Sequence, residues 1–233
     1  MPNNHPGGQA PPMTEEERKT MTTYHNDPKL KTDFLTEIGK HEAADAFIKG
    51  TYGRMNGAFK GCAIGCSLAS LNVIRGRPIN ERTGDHERLS KELGVPLWLA
   101  HLEDHLFEAL PIEAARQGPR QLAEAIPVGV VIPDRMLAQI LRWTLADATY
   151  GVRHATDNTE IVAIVDRMIA LFDRSIAGDE PTAAEWDEDA RDAWAAWAAR
   201  AAWAAGTRDA FYPALRDYVI TLLRELEPMT EDQ

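Results

Sequence analysis

Asn56–Leu71 reads NGAFKGCAIGCSLASL, and the way this stretch is read decides the fold. Taken as a helix, it places Gly57, Gly61 and Gly65 on one face, beside a row of Ala58, Cys62, Cys66 and Ser70. Each glycine inside a helix costs roughly 0.5–1 kcal/mol relative to alanine. Three on one face therefore predict a close approach, by another helix backbone or by a ligand. Phe59, Ile64, Leu68 and Leu71 fill the remaining surface, so one reading is a buried helix with the two thiols as small core fillers. A second is irregular backbone wrapped around a ligand. A third is a functional site that uses the thiols. Lys60 interrupts the stretch, which falls short of the roughly 18 apolar residues of a membrane span.

The surrounding chain supports a folded, mainly α domain. It has 233 residues, 44% hydrophobic and 26% charged, enough for a sizeable core. Its net charge of −11 divides unevenly, with −2 on residues 1–39, −1 on residues 40–178 and −8 on residues 179–233. A nearly neutral body speaks against general binding of nucleic acid, which asks for clustered positive surface. No N-terminal apolar run suggests a signal peptide, and two cysteines four apart make no secreted disulfide framework. The cytoplasm is the expected compartment.

Residues 1–13, MPNNHPGGQAPPM, read as a disordered leader, with Met13 or Met21 as alternative starts. A helical core is expected over residues 14–178. Helices are predicted over 28–50, with Leu30, Phe34, Ile38 and Phe47 inward, then over 85–93 up to Gly94, and from Pro96 to Pro111. Residues 112–133 carry Gly118, Pro119, Pro127, Gly129 and Pro133, which predicts short helices and an extended VGVVI linker. Further helices follow from Asp134 to about Tyr150 and from Thr159 to Gly178. A capping box, Thr182 to Glu185, opens the Ala/Trp-rich stretch of an acidic C-terminal hairpin over 179–233. Trp186, Trp194 and Trp197 share one side of it, a face suited to core packing or self-association. The expected architecture is an irregular bundle of about seven to nine helices.

Several residues could carry chemistry. Cys62 and Cys66 could chelate one zinc or other thiophilic ion with His86, and His101 or His105, as further ligands, although the spacing matches no zinc signature. His101 and His105 lie four apart on one helix face, yet Glu103 stands wrongly for an HExxH site. Asp104 and Glu108, also four apart, could act as an acid and a base or lie on a solvated face. The candidate ligand-binding set is Gly57, Gly61, Cys62, Gly65, Cys66, His86, Glu103, Asp104 and Glu108. Arg75, Arg77 and Arg82 make the loop Asn72–Asp85 locally basic, a possible anion contact. Walker, Rossmann, nucleophile-elbow and zinc-finger motifs are absent, so no cofactor is named by the sequence.

The combination KGCAIGC at Lys60–Cys66, ELGVP at Glu92–Pro96 and LEDHLFEALP at Leu102–Pro111 resembles an uncharacterised group of bacterial and phage proteins. The resemblance covers about residues 40–150 and implies a self-contained domain, with no activity carried over. The expected function is thus a small cytoplasmic helical accessory protein that binds a ligand or a protein partner without chemistry. The alternatives are a thiol- or metal-dependent enzyme or redox sensor centred on Cys62 and Cys66, and an acidic nucleic-acid mimic.

Overall fold

A computed structural model describes residue 14 and residues 20–56, 58–79, 85–186 and 209–227. The fold is mainly α, a multi-helix bundle with one two-stranded sheet. Helix α1 (Pro28–Ala43) starts where Asp27 accepts the Lys29 N–H and Pro28 fixes the first turn. Its Leu30, Phe34 and Ile38, four apart, are buried. The helix stops short of the expected residue 50, because Asp45 turns left-handed at φ 49° and Phe47 bridges to Gly61.

The central stretch is not one helix. Strand β1 (Arg54–Asn56) pairs antiparallel with β2 (Ala58–Lys60), Met55 opposite Phe59, and only then does α2 (Ala63–Ile74) begin. Three residues per strand give one inward side chain, Phe59, too short an alternation to stand out in sequence. Every residue of α2 from Ala63 to Asn72 is buried, since α1, α3, α4 and α5 surround it. These are α3 (His86–Leu93), α4 (Leu97–Ala109) and α5 (Ile112–Ala125).

Helix α5 also departs from expectation, running unbroken through Gly118 and Pro119. Proline removes the helical bond to the Ala115 carbonyl, but the preceding glycine has no Cβ to clash with its ring. Buried Ala115, Leu122 and Ala123 hold the segment against the core. Residues 127–133 form neither helix nor strand, but VGVVI is not the extended linker expected: Val128 and Gly129 make a turn, with Gly129 left-handed at φ 76°. The turn Thr23–Asn26 was not foreseeable: Tyr24, His25 and Asn26 all have φ of 51–56°. It is pinned by Thr23 N–H to Val130 O at 2.8 Å, Tyr24 Oη–H to Ala123 O at 2.8 Å, and the Val130 N–H to Thr23 Oγ1.

Helix α6 (Arg135–Ala146) forms without a side-chain bond from Asp134, and α7 (Thr159–Ile176) is capped by Asn158. Leu145, Val152, Ile161, Ile164 and Val165 make a satellite cluster, separate from the main core. The capping box forms as expected, with Glu185 accepting the Thr182 N–H at 2.7 Å and donating its own N–H to Thr182 Oγ1. Trp186 packs on Phe172, whereas Trp194 and Trp197 lie outside the described residues. A last helix over 209–224 sends Phe211, Leu215, Val219, Ile220 and Leu223 into the main core. No helix among the described residues is long and apolar enough to cross a membrane.

Candidate functional site

The glycines of the central stretch serve the chain's own backbone. A Cβ on Gly65 would stand 1.6 Å from the Tyr52 carbonyl oxygen, and one on Gly61 would stand 2.5 Å from it. Residues 51–53 therefore cross the start of α2 at a distance only glycine permits, and the Cys62 N–H fixes them by donating to Thr51 O at 2.8 Å. The close approach expected from the sequence is that of a loop rather than a second helix. Gly57 lies outside the described residues.

The same loop is fastened to the end of α4. Lys49 Nζ donates to the Glu108 carbonyl at 3.0 Å and to that of Leu110, where helix carbonyls lack partners. Glu108 Oε1 accepts the Gly50 N–H at 3.0 Å. These ties place Tyr52 at the protein surface, with its ring edge-on to His86 at 6.1 Å.

His86 opens α3, whose first turn is capped by Asp85. Across from it α4 presents His101 and Asp104, three residues apart and so on one face. His86 Nε2 lies 3.1 Å from Asp104 Oδ2, and the His86 and His101 rings stack at 4.2 Å with 22° between planes. Because a carboxylate can only accept, Nε2–H donates to Asp104, and in the neutral form of the ring Nδ1 keeps its lone pair. Nδ1 has no hydrogen-bond partner among the described residues. Packing, and then the neighbouring His86 ring, lower the pKa of His101. Burial first, then the charges of Asp104, Cys62 and Glu108, raise that of the Tyr52 phenol.

Cys62 is the N-cap residue of α2 and lies beneath this group, 1% exposed. Burial pushes its thiol up to about 12, and Asp104 adds to the shift against the pull of the Gly65 and Ile64 N–H groups. Cys66 is raised to about 12 chiefly by burial, and its Sγ rests 3.5 Å from Gly61 O and 3.8 Å from Ala46 O. Both cysteines are unbonded thiols. Among the described residues no three His, Cys, Asp or Glu side chains are placed to hold a metal ion.

The acidic residues expected to act together are divided. Asp104 joins His86, Glu108 binds the loop backbone, and Glu103 faces a small cavity lined by Tyr24, Phe34, Leu99, Pro119 and Leu122. Burial, then Asp104, raise the Glu103 carboxyl to about 8. The residue missing from the sequence-derived set is Tyr52, whose only signal was its place between glycines in Gly50-Thr51-Tyr52-Gly53. The sequence offers His101 only as a candidate metal ligand. Compared with family models, curated proteins and solved structures, the chain matches none.

Proposed function

We propose that the protein binds a small polar molecule at the face formed by Tyr52, His86, His101 and Asp104. The observation that carries this is the 3.1 Å His86–Asp104 pair with His101 stacked on it. Setting a carboxylate and an imidazole partly out of water stabilises a fold little, and apolar residues of similar size serve as well or better. An aligned pair with an unused ring nitrogen beside a surface tyrosine suits a ligand better than it suits packing. The ligand donates a hydrogen bond to His86 Nδ1 and lies against the Tyr52 ring. A second reading makes His86 a general base, since the carboxylate that fixes its tautomer also stabilises the imidazolium formed on proton uptake. Neither reading uses Cys62 as a nucleophile, because a buried thiol of raised pKa supplies almost no thiolate at neutral pH.

The test is a library of small polar fragments screened by NMR against the full chain. Hits are expected to shift resonances of residues 50–53, 86 and 101, and to be lost in Tyr52→Ala and His86→Gln variants that keep the native melting profile. Hits that map elsewhere and survive both substitutions overturn the proposal.

A further inference from the structure

The basic loop after α2 is built more rigidly than a solvated loop requires. Helix α2 ends with Gly76 left-handed at φ 64°, Gly76 N–H donating to Val73 O at 3.1 Å and Arg77 N–H to Asn72 O at 2.8 Å. This is a Schellman closure, and it fixes Arg75 and Arg77 on either side of the glycine. Asn72 is 2% exposed. Its backbone oxygen holds Arg77, while its side-chain oxygen accepts from Arg88 Nη2. A single buried asparagine thus positions two arginines from different elements.

Three guanidinium groups then converge on one carboxylate. Arg88 Nε donates to Glu92 Oε1 at 2.7 Å, Arg77 Nη2 donates to Glu92 Oε2, and Arg75 Nε stands 3.9 Å from the same oxygen. No other carboxylate pairs with these arginines among the described residues. Glu92 supplies one negative charge and the C-terminus of α2 about half of one. Counting only these described groups, roughly one and a half positive charges are left over, at side chains 47%, 42% and 29% exposed for Arg75, Arg77 and Arg88, while the nearby Asp85 carboxylate accepts the Arg88 backbone N–H. Each guanidinium offers five N–H donors, and Glu92 and Asn72 engage few of them.

We propose that Arg75, Arg77 and Arg88 form a binding site for the phosphate group of a small phosphorylated molecule, with Asn72 and Glu92 as its positioning residues. Planar forks held in place suit tetrahedral oxyanions, which they grip through paired N–H groups. A polynucleotide fits less well, since tracking several phosphates needs a wider positive surface than this patch on a chain of charge −11.

Isothermal titration of the full chain with inorganic phosphate and pyrophosphate, at ionic strength held constant with chloride, tests this directly. One site is expected, with pyrophosphate the tighter ligand. The affinity should fall about tenfold in Arg77→Ala and further in the Arg75→Ala/Arg77→Ala pair, both chosen to leave the Asn72–Arg88 contact intact. Arg77→Lys should recover only part of it. No saturable heat up to millimolar pyrophosphate, affinity unchanged in the double variant, or saturable binding of duplex DNA without any of pyrophosphate would each overturn the proposal. Circular dichroism melts of the variants separate loss of the site from loss of the fold.

Discussion

Asp104 Oδ2 stands 3.1 Å from His86 Nε2, joining the first residue of α3 to the third turn of α4 across the entrance of α2. The bond orients the ring and sets its tautomer, and Cys62 lies against the same carboxylate. Asp104→Asn keeps the shape and removes the charge. The amide oxygen can still accept the Nε2–H, so only the strengthening by charge is lost, which predicts a destabilisation of about 1 kcal/mol, read from urea melts. Asp104→Ala, which also opens space, should cost more.

Thiol chemistry gives the second prediction. With both thiols raised to about 12 by burial before any other cause, a disulfide reagent at pH 8 should find no fast-reacting cysteine in the native chain and two after denaturation. Since Asp104 is only a secondary contributor for Cys62, Asp104→Asn should leave that thiol slow. Rapid modification of Cys62 in the folded protein would restore the thiol-enzyme reading.

Glycine substitutions should have opposite signs in two helices. Gly65→Ala drives a methyl into the Tyr52 carbonyl and must displace residues 51–53, so a loss of at least about 2 kcal/mol is expected, together with loss of fragment binding. Gly39, inside α1, has nothing within 4 Å of its would-be Cβ. Gly39→Ala should therefore stabilise by about 0.5–1 kcal/mol through helix propensity. Thermal melts of the two variants compare the signs.

Glu103 sets a pH dependence. Its folded pKa, raised to about 8 by burial and then by Asp104, lies above the ordinary 4.5, so the folded state holds a proton that the unfolded state gives up. Stability is then greatest below about pH 4.5 as far as this group is concerned, declines as pH rises, and levels off above about 8. Glu103→Gln removes the titration while keeping the shape. The variant should gain on the parent by a few kcal/mol between pH 5 and 9 in denaturant melts, with little difference at pH 4. A constant difference across that range would mean that Glu103 is ionised in the folded state.

The helical character of the chain was legible because it rests on local rules: the 3.6-residue spacing in α1 and α4, Thr182 at a helix start, and Gly94 at a stop. The site was legible only in part. Cys62, His86 and Asp104 were named for chemistry that each has somewhere, but their meeting depends on how α3 crosses α4. Tyr52 was invisible because its role comes from a backbone crossing at Gly61 and Gly65, a contact between residues 9 and 13 apart that leaves only missing Cβ atoms in the sequence. The left-handed Tyr24–Asn26 turn was hidden for the same reason. Residues 123, 127 and 130, a hundred positions away, hold it in place.

The most direct measurement is a long-range 1H–15N spectrum of the histidine rings in the uniformly labelled protein at neutral pH, recorded with and without a bound fragment. His86 is expected with its proton on Nε2, a pyridine-like Nδ1 signal, and movement of that Nδ1 signal when the fragment binds. A proton on Nδ1 in the free protein, or an Nδ1 signal unmoved at saturation, would contradict that expectation.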